Sequence, residues 1–202
     1  MVLWDVLEGT PTMEGGWRYV EGLKGTDEMM PPVTEKTKLL IVPHTSNVLG
    51  VMMDLERVGK FARAWSPSIK IVVDGVAAAP HRYAGGNGGA QADFYVVSCH
   101  KLFGPHLGAC VKRKRSEGEK GGERNTLVEK GTMNFEACNG VVGLLEYFLR
   151  LANISVKINV DEVINKLLLG ESKLSDSKNL IAEAYENIEL AESSPMSLLL
   201  DR

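Results

Sequence analysis

Three short apolar runs in this chain each stop at a polar residue, and this repetition constrains the fold more than any other feature. Residues 38–42 lead into Pro43-His-Thr-Ser-Asn47-Val-Leu-Gly50. Residues 69–73 lead into Asp74-Gly75. Residues 94–97 lead into Ser98-Cys-His-Lys101, before a turn at Gly104-Pro105. Runs of this length with β-branched members read as buried strands. Between the first two, Leu55, Val58, Ala62 and Trp65 recur at helical spacing, so residues 53–65 read as an amphipathic helix. Asp54 near its start suits the helix dipole, and Pro67 stops it. Strand, helix, strand implies a right-handed crossover and a parallel pair. The expected class is α/β: a mostly parallel sheet flanked by helices, with its site at the carboxyl ends of the strands.

Asn47, Asp74 and Lys101 arrive in that order at three such ends. A lysine there, held partly desolvated, has a lowered pKa and a nucleophilic amine. That suggests Schiff-base chemistry with a carbonyl cofactor, of which pyridoxal phosphate is the obvious one. Taken singly, Ser-x-His-Lys is a surface lysine after a strand and Asp-Gly is a turn. The weight comes from their occurring together.

Residues 39–151 resemble the class V group of pyridoxal-phosphate enzymes, which includes cysteine desulfurases and selenocysteine lyases. The matching pieces are His44-Thr-Ser-Asn-Val-Leu-Gly50, Val73-Asp-Gly75, Ala79-Pro-His81, Asp93-Phe-Tyr-Val-Val-Ser98, His100-Lys101, Gly104-Pro105 and Gly131-Thr132. Asp74-Gly-Val-Ala-Ala-Ala-Pro-His-Arg82 and Asn134-Phe-Glu-Ala-Cys138 resemble a cysteine-desulfurase-like branch. The resemblance implies the type I fold of pyridoxal-phosphate enzymes. Residues 1–152 would be a partial cofactor-binding large domain, and residues 153–202 a helical tail or partial small domain. It implies Lys101 as the Schiff-base lysine and proton-transfer base, Asp74 against the pyridine nitrogen and Asn47 on the ring hydroxyl. Ser98 and His100 would hold the phosphate, and Thr132 would reach the phosphate of a neighbouring subunit in a homodimer. His44 and His81 follow the family pattern with either supporting or catalytic roles. Many relatives carry Gln where this chain has Ala77, so one ring contact is missing.

The implied activity is on an amino acid, cysteine or a similar one, by desulfuration, transamination, elimination or racemisation. The family enzymes are about twice this length. The chain therefore resembles an internal fragment whose upstream phosphate loop and ring-stacking His precede Met1. The carboxylate-binding Arg and the sulfur-accepting Cys would follow Arg202. The competing reading is a non-catalytic remnant or interaction subunit, since half a large domain would expose a sheet edge and apolar surface.

The rest of the chain adds bounds. Its 202 residues are 44% apolar and 24% charged with net charge −3, enough for one soluble core and without a general affinity for nucleic acid. No apolar run approaches a membrane span. Three Cys form neither a disulfide framework nor a zinc pattern, which fits a reducing, cytoplasmic setting, with an organelle still open. Cys99, Cys110 and Cys138 read as small packing residues. Residues 2–4 read as a strand matching one that a helix follows in the family, and residues 17–23 as a short helix. Trp4 and Trp17 read as packing residues. Gly85-Gly-Asn-Gly-Gly89 reads as a flexible connection, and the charged stretch 112–124 as a solvated loop. Residues 107–112 read as a strand. Residues 135–151, 160–169 and 177–192 read as helices, the last capped by Ser175 or Asp176.

Overall fold

The computed structural model describes residues 2–8, 17–22, 33–84, 91–113, 132–172 and 177–200, with the side chains of residues 2–22 and 194–200 left aside. Six strands form one sheet in the order β2-β1-β3-β4-β5-β6. They are β1 (Val2–Glu8), β2 (Trp17–Gly22), β3 (Thr37–Pro43), β4 (Lys70–Asp74), β5 (Phe94–Ser98) and β6 (Gly108–Lys112). The β3/β4 and β4/β5 pairs are parallel and β5/β6 is antiparallel, so the expected mostly parallel sheet is present across β3–β6. The amino-terminal part differs from expectation. Residues 17–22 are a strand, and β1 pairs antiparallel with both β2 and β3. A strand–helix lead-in is thus replaced by a hairpin, because pairing to a neighbour overrides the weak helical pattern of so short a stretch.

Helix α1 (Leu55–Trp65) makes the crossover from β3 to β4. The Asp54 carboxylate accepts the Arg57 N–H, so Asp54 is its N-cap, and the chain leaves the helix at Ser66. Alternation along the strands buries Leu40, Val42, Ile71, Val73 and Tyr95, and these meet Leu55, Val58 and Ala62 of α1 in the main core. Asp93 braces this core from its edge. Its carboxylate accepts the Ile71 N–H at 3.0 Å, Lys70 Nζ at 3.2 Å and Arg63 Nη2 at 3.3 Å. Burial pushes the Asp93 carboxyl up, but those partners outweigh it and hold it below its ordinary value.

Three helices follow: α2 (Phe135–Val156), α3 (Val160–Leu168) and α4 (Lys178–Leu200). Both α2 and α4 run past their expected ends, and the domain boundary expected at residue 152 falls inside α2. Phe148 and Ala152 of α2 and Ala184 of α4 close on Ala79, after β4, and Leu102, after β5. The Tyr185 hydroxyl donates to the Ala79 carbonyl at 2.7 Å, tying α4 to the segment that leaves β4. The glycine-rich connection, the charged stretch beyond Arg113 and the Ser175/Asp176 cap lie outside the described residues, as do the side chains of Trp4 and Trp17. Among the described residues no helix is long and apolar enough to cross a membrane.

Candidate active site

The parallel register brings the strand ends together. Pro43 lies beside Asp74, and Asp74 beside Val96. Beyond β3 the chain folds into a tight loop. His44 N–H donates to the Asp74 carbonyl at 2.8 Å, Met53 N–H to the His44 carbonyl at 2.8 Å, and Ser46 N–H to the Val51 carbonyl at 3.0 Å. The Ser46 hydroxyl accepts the Leu49 N–H at 3.2 Å. This clamp presents Asn47 at the tip.

Beyond β5, Lys101 N–H donates to the Ser98 carbonyl at 3.1 Å and Gly104 N–H to the Cys99 carbonyl at 2.8 Å, a turn that swings Lys101 over the sheet end. The turn is strained. Phe103 has φ of 67°, a left-handed conformation uncommon for an aromatic residue. Its exposed ring rests 5.6 Å from that of Tyr147 on α2.

Between these loops lies a cleft of about 290 Å³, near the lower end for small-molecule sites. Asn47, Asp74 and Lys101 all line it, with Ile41, Pro43, Thr45, Val76 and Ala77 among the other walls. Asp74 keeps its carboxylate at the cleft with one oxygen accepting the Val76 N–H at 2.9 Å. Lys101 is exposed at the rim rather than desolvated as the sequence suggests, because the turn that carries it projects beyond the strand ends.

The remaining candidates lie elsewhere. Ser98 and His100 flank Lys101 in the chain but do not line the cleft, and Thr132 is exposed just ahead of α2. His100 stacks on His106, ring centroids 4.0 Å apart, a pairing across the Gly104-Pro105 turn that the sequence reading missed. His44 faces away from the cleft, is buried, and its Nδ1 lies 2.7 Å from the Tyr95 hydroxyl. Burial lowers the His44 pKa and raises that of Tyr95, so both are held neutral. His81 pairs with Glu192 of α4 at 2.5 Å, again away from the cleft. Cys99 is buried and Cys138 half-buried, as packing residues should be, but Cys110 is exposed because β6 is an edge strand.

Thr45 was also missed. Thr45 lines the cleft, and its hydroxyl is buried with no hydrogen-bond partner among the described residues. Period-two alternation from Pro43 places it on the cleft side, but nothing in a sequence reveals an unpaired hydroxyl.

Comparison with known proteins gives this arrangement a class. The model of the family "Aminotransferase class-V" matches residues 19–157, and the chain belongs to that family. Among curated relatives, the chain is 35% identical over 92 residues to the cysteine desulfurase-like protein ustD of Aspergillus flavus, covering 46% of this chain and 20% of that protein. It is 28% identical over 166 residues to a probable cysteine desulfurase of Xylella fastidiosa (strain Temecula1), covering 72% of this chain and 39% of that one. The crystal structure of the cysteine desulfurase CsdA from Escherichia coli matches with a TM-score of 0.45 at 24% identity, over 60% of this chain and 38% of that one. The chain thus spans between a fifth and two-fifths of the length of these proteins.

Proposed function

We propose that this chain carries the cofactor-binding half-site of a cysteine-desulfurase-like pyridoxal-phosphate enzyme acting on an amino acid, cysteine or a close analogue. The observation that supports it most is the convergence of an amine, a carboxylate and an amide on one cleft at the ends of adjacent parallel strands. The family is pyridoxal-phosphate dependent, and this donor set suits that cofactor. The amine answers the aldehyde, the carboxylate the ring nitrogen and the amide the ring hydroxyl.

Pyridoxal phosphate supplies an electron sink that stabilises negative charge developing at a substrate's α-carbon. Lys101 would hold the cofactor through Nζ, and its free amine would move a proton at the substrate's α-carbon. The Asp74 carboxylate would face the ring nitrogen and favour its protonated form. Asn47 orients the ring. Ser98 and His100, outside the cleft lining but close to Lys101 in the chain, would donate to a phosphate held beyond the cleft rim, and Thr132 would serve the phosphate of a second subunit in a homodimer. The exposed position of Lys101 leaves room for a covering surface from that subunit or from the rest of a longer protein.

The exposed β6 edge favours a second reading, a non-catalytic interaction subunit. Incubation with pyridoxal phosphate, borohydride reduction and peptide mapping separates the two. The proposed function expects a yellow complex and label on Lys101, with both absent in Lys101→Ala. Label scattered over surface lysines, equal in wild type and variant, would leave only the second reading.

A further inference from the structure

We infer that Tyr95 and His44 are positioning residues of this half-site: their hydrogen bond, made across Gly75, sets the Asp74 carboxylate toward the ring nitrogen of the cofactor. The inference rests on the pyridoxal-phosphate reading above. Neither residue lines the cleft, and both are buried. They are joined by the 2.7 Å bond between His44 Nδ1 and the Tyr95 hydroxyl, with the two rings edge to face at 86°.

What the pair encloses is the peptide between Asp74 and Gly75. The Asp74 carbonyl accepts the His44 N–H at 2.8 Å, and the Gly75 N–H donates to the Val96 carbonyl at 2.9 Å. His44 directly follows β3 and Val96 directly follows Tyr95, so the side-chain bond closes a ring that ties three strands around this one peptide. Gly75 makes the closure possible. A Cβ there would collide with the Tyr95 ring and hydroxyl, so the tyrosine packs directly against the glycine backbone. Burial, then the nearby Tyr185 and Asp74, raise the Tyr95 pKa, so its hydroxyl also senses the Asp74 charge. A phenylalanine would fill the same space but could not hold the His44 ring, so the hydroxyl contributes orientation rather than volume. Asp74 depends on such orientation. Among the described residues its carboxylate has the Val76 N–H, at 2.9 Å, as its one hydrogen-bond partner, and its direction otherwise follows from how firmly its backbone is set.

Tyr95→Phe tests this, because it removes the hydroxyl and keeps the ring. Nitrogen NMR of pyridoxal phosphate labelled at the ring nitrogen reports whether that atom is protonated, which folding stability by itself does not set. The inference expects the bound signal to move toward its unprotonated position in Tyr95→Phe and in His44→Leu. It expects both to bind the cofactor about 3- to 10-fold more weakly by equilibrium dialysis. His44→Asn, whose short amide keeps a polar atom near the place of Nδ1, should bind within about threefold of the wild type and keep its nitrogen signal. On an Asp74→Asn background Tyr95→Phe should add little. A shift as large there as in the wild type would overturn the inference, since the effect would bypass Asp74. Variants that melt early while their nitrogen signal and affinity stay unchanged would overturn it too, assigning the pair to folding alone. Should Tyr95→Phe fail to fold, the contrast between His44→Asn and His44→Leu decides by the same two readouts, and equal losses in both would overturn the role of the hydrogen bond. Failure of the wild type to bind pyridoxal phosphate would defeat the cofactor reading and the inference together, whereas variants that match a binding wild type defeat the inference alone.

Discussion

At the scale of single residues, one step along the chain separates two different environments. His44 turns inward to Tyr95 and Thr45 outward to the cleft. Because burial lowers the His44 pKa, the folded state binds a proton less readily than the unfolded chain does. The sign follows. The stability tied to neutral His44 is fully present above the unfolded value of about 6.5 and is lost as pH falls from there toward the folded value. Urea midpoints should therefore drop between about pH 7 and pH 5, and His44→Gln should flatten that part of the profile. A profile that is equally steep in the variant would place the titration elsewhere. Sequence reasoning singled out Asn47, Asp74 and Lys101 because each comes within five residues of the end of an apolar run, and all three line the cleft. It could not tell that Lys101 stands exposed or that His100 stacks on His106, because both depend on how one turn closes.

At the scale of elements, α4 is held by close helix packing rather than by charge. Ala184 and Ala152 are fully buried where α4 meets α2, and their small size allows the approach that lets Tyr185 reach the Ala79 carbonyl. The contact of His81 with Glu192, and the ion pairs of Arg82 with Glu192 and Glu189, are solvent-exposed and secondary to this. Ala184→Leu should overpack the contact and cost about 1–3 kcal/mol in a denaturant titration. It should also speed amide exchange along α4 well before it affects β3–β5. Uniformly faster exchange would mean that α4 and the sheet unfold as one unit. Helix existence was legible from residue spacing. The docking of α4 was not, since a helix face does not name the surface it meets.

At the scale of the whole molecule, the sheet of described residues ends on one side in β6, which pairs with β5 and is almost wholly exposed. Val111 on this strand is 60% exposed. An open, apolar edge invites pairing with another chain. Light scattering should show concentration-dependent higher oligomers, and Val111→Lys should reduce them while leaving the melting temperature nearly unchanged. Oligomers of undiminished mass in the variant would point to another surface, such as the exposed loop residues Val48 and Leu49.

What the sequence determined by itself was local: which stretches bury one face, where each strand stops, and which polar residue follows it. Those features are set by near neighbours, through side-chain alternation and helical period. Tertiary structure alone decided the rest. Pairing with β1 makes residues 17–22 a strand. Parallel register gathers three distant strand ends into one cleft. The partners of His44, His100 and Tyr185 come from elements far along the chain or across a turn. Contacts of this kind depend on how the whole chain closes, and no window of sequence contains them.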